Sequence, residues 1–379
     1  MKIYFDLFIQ FDRFKELLFL SLQKNLMSNV TITNNIRECD LIILLLNSSK
    51  SLINLHTTNK NKDKLKAGYY KNIKPKEKNQ LNMLYSSKND NIDRINYFKM
   101  NKPIILIERL DSSITWIREF DKYPNVIGII KNRIAHDMNI NNNELYTGRH
   151  HGLLITQSLK KEELTPICNK KPDIGINYYK GACKLKKLPK EYFDKFHAIL
   201  WDFHSSPLSN KMNFFIENKD FNKDNDVFCV HSLRGGIIAH HRKKAINIIK
   251  DITKIKTFTD NCDEKKYNNM FIKSKICVAC WGFGEWTHMD GYAMYSKTIL
   301  IKPNNDFVKM DPDIYNSKRY IPCKPDFSDL EDKINEILEN YDEYNDMLED
   351  NRKFIMSLNK KQCCKNFWKK IEEIYLNFK

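Results

Sequence analysis

Apolar and polar positions along this chain alternate between two periods, and the switches predict an α/β protein. Lys2 to Phe8 (KIYFDLF) reads as a first strand. From Asp12 the period lengthens: Phe14, Leu17, Leu18 and Leu22 fall on one helical face, and Asp12 suits the N-cap. Cys39 to Leu46 (CDLIILLL) is an almost unbroken apolar run, as expected of a strand buried on both sides of a parallel sheet. Strand, helix, strand in that order predicts a βαβ start. Residues 48–98 are rich in Asn, Lys and Ser, lack either period, and read as a low-complexity insertion. The pattern resumes with Pro103 to Ile107 (PIILI), a helix near Ser113 to Phe120 and a strand over 125–130 (NVIGII). Two further strands, 173–179 (DIGINYY) and 197–203 (HAILWDF), flank a short helix from Pro189 to Lys195.

A second α/β unit opens at Asp226 to Val230 (DVFCV), followed by a Gly-containing loop and the helix RKKAINIIKDI. Ile276 to Cys280 is a short buried strand that runs into Gly282 and Gly284. These glycines permit a turn too tight for a residue with a Cβ. Trp286 to Ser296 is long enough for about three helical turns. Lys297 to Ile301 (KTILI) is another strand, stopped by Pro303. Asp329 to Asn351 reads as a charged amphipathic helix or helix pair, and Phe367, Trp368, Ile371, Ile374 and Tyr375 recur at helical spacing near the end. The expected division is 1–215, 216–355 and a final helix over 356–379. A strand that ends in a Gly-rich turn and opens a helix sets backbone N–H groups at a sheet edge where nucleotides bind in open α/β folds.

The residues of that turn carry a resemblance. Ser274-Lys275-Ile276, Gly282, Gly284-Glu285, Asp290, Ala293 and Leu300-Ile301-Lys302-Pro303 resemble the donor-binding half of GT-B-fold glycosyltransferases, viral and exostosin-like members in particular. The likeness runs on through Asp313-Ile314-Tyr315 and residues 320–347, and covers roughly 226–352. It implies an α/β fold of two Rossmann-like domains facing a cleft, with a C-terminal helix crossing back to the first. Residues 1–215 would then bind the acceptor, a glycan or glycoprotein, and 216–355 a nucleotide sugar such as a UDP- or GDP-sugar. It implies no cofactor and no essential metal. The chain departs from the commonest pattern at Tyr292, which precedes Ala293-Met294 where many members carry Glu, and at Ser296-Lys297, which replaces a small residue and Gly.

Composition narrows the alternatives. The formal charge of +16 is compatible with nucleic acid, anionic membranes or phosphorylated small molecules. However, residues 51–100 hold 11 Lys or Arg against 4 Asp or Glu, so nearly half the excess lies in the low-complexity insertion. A solvated loop explains that better than a nucleic-acid stripe does. No apolar run is long enough to span a bilayer, and Asp6, Asp12 and Arg13 interrupt the N-terminal one, so no secretory signal is expected. The 10 cysteines include several inside strands, where a free thiol acts as a small apolar side chain; a reducing, cytosol-like compartment follows.

Transfer from a nucleotide sugar passes through an oxocarbenium-like state, releases a diphosphate and frees a proton from the acceptor hydroxyl. The loop and helix start at 231–244 suit the diphosphate: Arg234, Gly235, His241, Arg242 and Lys243 combine donors, a flexible turn and a helix N-terminus. Gly284, Glu285, Asp290 and Tyr292 complete the expected donor site, with Glu285 also a candidate at the reacting centre. Asp111, after the strand PIILI, is a candidate acceptor base, although it equally suits capping a helix. His204, in the WDFHSSP turn, is its rival, and His150-His151 beside Gly152 is a third candidate. Cys277-x-x-Cys280 resembles half a zinc site, but residues three apart on a strand face opposite ways. Asp311-Pro312-Asp313 is the Asp-x-Asp triplet that holds a divalent metal in GT-A glycosyltransferases; here it falls in a loop, and the GT-B likeness accounts for it without metal. Walker A and G-x-G-x-x-G fingerprints are absent. A catalytically degenerate GT-B scaffold and a basic nucleic-acid-binding protein stand as the alternatives.

Overall fold

The computed structural model describes residues 1–6, 17, 20–21, 29–33, 35–46, 100–108, 113–115, 124–142, 145–146, 150–158, 182–183, 187–203, 206–218, 221–233, 236–282, 284–316 and 318–379. Most of the helix expected from Asp12, the 48–98 insertion and the strand expected over 173–179 lie outside these residues. So does most of the helix expected near 113–120; Ser113 to Thr115, at its start, are irregular.

The first half contains strands β1 (Lys2–Asp6), β2 (Thr31–Thr33), β3 (Leu41–Leu46), β4 (Ile104–Glu108), β5 (Val126–Lys131), β6 (Arg133–Ala135), β7 (Leu145–Tyr146), β8 (Ala182–Cys183) and β9 (Phe196–Ala198). Helices α1 (His150–Gln157) and α2 (Asn213–Glu217) interrupt and follow them. Six of the strands form one all-parallel sheet in the order β2-β1-β3-β4-β5-β9. The apolar run of β3 is unbroken because both faces are covered. Leu41, Ile43 and Leu45 enter one core, and Ile42 and Leu44 enter the other.

The second half runs β10 (Asn225–Phe228), α3 (Gly236–Asp251), β11 (Thr257–Phe258), α4 (Glu264–Ile272), β12 (Ser274–Val278), α5 (His288–Tyr295), β13 (Ile299–Pro303), β14 (Val308–Met310), β15 (Ile321–Cys323), α6 (Leu330–Glu339) and α7 (Asn345–Ser357). Its sheet is also parallel throughout, in the order β11-β10-β12-β13-β15. Both sheets therefore reverse their winding beside their first strand, between β1 and β3 and between β10 and β12. A crevice opens at the carboxyl ends of the strands at each such point. Cys277 packs on one face of the second sheet and Cys280 on the other, so these two thiols share no face.

The final helix, α8 (Lys360–Phe378), returns to the first half. Cys363, Cys364, Phe367, Trp368, Ile371, Ile374 and Tyr375 pack with Phe5, Leu17 and Ile130 in one core. The Trp368 indole N–H donates to Ser21 Oγ at 2.8 Å. A Cβ at Gly128 of β5 would lie 2.8 Å from Ile374 Cγ2, so glycine is what lets helix and sheet approach.

A second tie was not legible beforehand. β6 of the first half pairs antiparallel with β14 of the second, Arg133 opposite Met310 and Ala135 opposite Val308. The strand expected over 197–203 is shorter for the same reason. After Ala198 the backbone leaves the sheet, and Leu200 N donates across the seam to Asp311 O at 3.0 Å.

Candidate functional site

The Gly-rich turn leaves β12 at the second crevice and places two buried carboxylates five residues apart. Thr287 caps α5 and Asp290 closes the capping box: the Thr287 N–H donates to Asp290 Oδ2 at 3.1 Å, and its hydroxyl to Oδ1 at 2.7 Å. Lys302 of β13 donates to both oxygens at 3.0 and 2.9 Å, and the Tyr315 hydroxyl to Oδ2 at 2.7 Å. Both Asp290 and Lys302 are fully buried. Asp290 is thus engaged entirely by its own half, where it locks the start of α5 to the sheet.

Glu285 reaches the other way. The Ser113 backbone N–H lies 3.1 Å from both of its oxygens, and the Ser113 hydroxyl donates to Oε1 at 3.0 Å. His151 Nδ1, on α1, lies 3.4 Å from the same oxygen. All three groups belong to the first half. Burial alone would raise the Glu285 carboxyl. The hydrogen bond and charge of His151, the charge of Arg133 and the Ser113 N–H overcome it and hold the group well below the usual carboxylate range.

A second buried pair stands nearby, where β4 and β5 end. Lys131 Nζ donates to Glu108 Oε2 at 3.0 Å, and Thr115 Oγ1 donates to the same oxygen at 2.8 Å. Burial pulls the Lys131 ammonium below its ordinary value, against the opposing pull of Glu108.

The basic loop and helix start are sorted by depth. Gly236 opens α3 with φ 54, a left-handed conformation that suits glycine. His241 is sealed beneath: its ring stacks on Trp281 at 5.5 Å, packs against Phe327 at 4.4 Å, and its Nε2 lies 2.8 Å from Pro325 O. Burial lowers its pKa to about 4. Arg242, one residue on, is half-buried and bridges the crevice. Its Nε donates to Trp281 O at 3.1 Å and its Nη1 to Ser232 O at 2.7 Å, which fastens the turn after β12 to the loop after β10. A Cβ at Gly282 would stand 3.2 Å from Arg242 Nη2, so the turn's first glycine leaves room for that guanidinium. Lys243 is exposed. Gly284 contributes its carbonyl, which accepts from Gly282 N at 3.2 Å. Tyr292 lies in packing: its ring is stacked on Phe215 at 3.9 Å and meets Phe271 edge-on. Burial pushes its phenol up to about 12.

Arg234 and Gly235 lie outside the described residues, as do Asp111 and His204. The fold brings together Glu285, Arg242 and Gly284 at the second crevice and sets Asp290 and Tyr292 into the body of that half. Ser113 and Arg133 carry no sequence signal for this site. His151 does, through the His150-His151-Gly152 pattern.

Two Rossmann-like domains facing one another, with a helix returning from the second to the first, constitute the GT-B class of fold. No family model matches the sequence, and no curated protein matches it. Among solved structures, TarM aligns over 94% of this chain and 57% of its own, at 11% identity and a TM-score of 0.38. The pneumococcal O-GlcNAc transferase GtfA, in complex with UDP and GlcNAc, aligns over 74% of this chain and 59% of its own, at 12% identity and 0.35. An alpha-glucosyltransferase in complex with UDP-glucose and DNA containing an abasic site aligns over 98% of both chains, at 7% identity and 0.37. The chain spans less than two thirds of the first two structures it matches. Among the described residues, no helix is long and apolar enough to cross a membrane.

Proposed function

We propose that this chain transfers a sugar from a nucleotide-diphosphate donor, such as a UDP- or GDP-sugar, to a hydroxyl group of a glycan or glycoprotein. The observation that carries the reading is Glu285. It is a carboxylate held ionised at the carboxyl end of β12, beside the second sheet's switch point, and its oxygens meet groups of the first half. A carboxylate placed where two facing domains meet suits an oxocarbenium-like centre between donor and acceptor. In this reading Arg242, Lys243, Arg234 and the backbone at Gly235 and Gly284 neutralise the departing diphosphate, so no divalent metal is essential. Asp111 or His204 takes the acceptor's proton. The nucleotide lies over the second half, and the acceptor approaches from the first.

Incubation with a panel of UDP- and GDP-sugars, with and without EDTA, tests this. Donor turnover or hydrolysis should be seen, should persist in EDTA, and should fall by about two orders of magnitude or more in Glu285→Gln. Arg242→Ala should weaken donor binding with the fold retained. If no nucleotide shifts the melting temperature of the folded chain, the alternative gains: a GT-B scaffold that binds a partner without catalysis. The closed state of Glu285, wholly buried by Ser113 and His151, is the observation on that side.

A further inference from the structure

Arg133 is a buried cation of the seam whose hydrogen-bonding capacity is left unused among the described residues. It sits two residues beyond the end of β5, opposite Met310 in the ribbon that joins the halves, and is only 2% exposed. The neighbouring buried cations are matched: Lys131 with Glu108 at 3.0 Å and Lys302 with Asp290 at 2.9 Å. Glu285 is close enough to feel the Arg133 charge, and among the described residues its side chain is hydrogen-bonded by Ser113 and His151. Arg133 Nε and Nη1 have no hydrogen-bond partner among the described residues. Those two nitrogens carry three N–H donors. Buried N–H donors left without acceptors are costly, and buried polar groups are ordinarily paired. Such a group therefore calls for a partner from outside the chain. The partner must accept several hydrogen bonds and carry negative charge, which is the description of a phosphate or carboxylate oxyanion.

We propose that Arg133 is the anchor of an oxyanion-binding site at the seam, contributed by the first half and taking a phosphate-type group of the substrate. The site stands or falls on anion binding alone; which molecule brings the oxyanion rests on the reading given under Proposed function. Two sources share this chemistry, the donor's diphosphate and a phosphate or carboxylate on the acceptor. The His150 imidazole, whose Nδ1 also has no partner among the described residues, lies near enough to Glu285 to sense its charge and borders the same region.

The test is a thermal-shift titration of the whole chain with inorganic pyrophosphate, orthophosphate and sulfate, against KCl at matched ionic strength. Wild type should show a saturable shift with pyrophosphate beyond the KCl control. In Arg133→Met that response should weaken at least about tenfold. The unliganded melting temperature should hold or rise, because three buried N–H donors without acceptors have gone while Ser113 and His151 still bond Glu285. If Arg133→Met responds to pyrophosphate as wild type does, or if wild type shows no shift beyond KCl, the proposal is wrong. It is also wrong if Arg133→Met melts lower and Glu285→Gln restores it, because Arg133 then serves only as counter-ion to Glu285. Should Arg133→Met not fold, Arg133→Lys, which keeps the charge but loses the planar donor set, is read by the same titration. The source is separated by adding UDP and GDP. Loss of nucleotide binding in the variant assigns the oxyanion to the donor, whereas retained nucleotide binding with lost pyrophosphate response assigns it to the acceptor. Failure of transfer activity with an intact Arg133-dependent anion response would overturn the glycosyltransferase reading and leave this site standing.

Discussion

Glu285 and Asp290 leave the same turn, are equally buried, and are put to opposite uses. Asp290 is closed by four donors from its own half: two on Thr287, the Lys302 ammonium and the Tyr315 hydroxyl. Glu285 is met by groups of the other half, Ser113 and His151. The first arrangement fixes a helix to its sheet. The second makes a carboxylate depend on how two domains sit together. Burial and a strong charge environment therefore do not by themselves distinguish a structural carboxylate from a working one; the distinction lies in which domain supplies the partners.

The largest expected effect tests the structural side. Asp290→Ala strands Lys302 as an unpaired, fully buried ammonium, and such losses cost about 3–5 kcal/mol. Urea unfolding should show a midpoint lowered accordingly, and Asp290→Leu combined with Lys302→Met should recover much of it. A loss below about 1 kcal/mol in the single variant would break the contrast, because it would mean that Asp290 is as replaceable as a surface residue.

Acid tests the buried titratable groups next. Glu285 has a folded pKa below its unfolded value, so its stabilisation is complete above the unfolded pKa and is lost only in strong acid. His241 acts in the same direction but at higher pH: its folded value of about 4 lies below the ordinary 6.5. The unfolded chain takes up that proton first, so stability is full above about pH 6.5 and falls as the pH drops towards 4. The shift corresponds to about 3 kcal/mol. Burial likewise lowers His197 in the first half to about 4, and it adds to the same trend. Denaturant midpoints measured from pH 7 to 4 should fall, and His241→Gln should flatten the slope. An undiminished slope in that variant would remove His241 from the account.

The same division explains what the sequence could show. Periodicity located β3, β4, β10, β12 and β13, because each is a short apolar run whose two faces are both covered. The returning helix was legible from the spacing of Phe367, Trp368, Ile371 and Ile374, and its destination from the likeness to GT-B enzymes. Glu285 was legible from its place after two glycines. The residues that complete it were not. Ser113 and Glu285 are separated by 172 positions and meet through a backbone N–H, which every residue but proline possesses. Arg133 reads as the last of three consecutive polar positions, Lys131-Asn132-Arg133, and nothing local says that it faces the other domain. The ribbon of β6 and β14 is only three residues on each side, too short for any period to register.

A double-mutant cycle measures the cross-seam contact itself. Ser113→Ala removes one of the donors to Glu285 while the backbone N–H remains, so the single cost should be about 1 kcal/mol. With Glu285→Gln as the second arm, a coupling of about 0.5–1 kcal/mol in thermal unfolding would confirm that the two halves communicate through this carboxylate. Additive effects within error would show that the contact contributes nothing and would remove the argument for Glu285 as a seam residue.

The smallest effect sits at the far end of the helix that Asp290 begins. Lys297, after the last turn of α5, adopts φ 51, a left-handed conformation that costs a side-chain-bearing residue roughly 1 kcal/mol relative to glycine. Its ammonium pairs with Glu349, a partly exposed contact of the kind that contributes about 0–1 kcal/mol. The two terms oppose each other, so Lys297→Gly should change stability by less than about 1 kcal/mol, with Glu349→Gln as the control that removes the pair alone. A gain in Lys297→Gly beyond the loss in Glu349→Gln would show that this helix end is strained and tolerated. The fixed point of α5 is then its N-terminal box on Asp290. A marked loss instead would mean that the Lys297–Glu349 pair holds α5 to α7, and that the second half is locked at both ends of the helix.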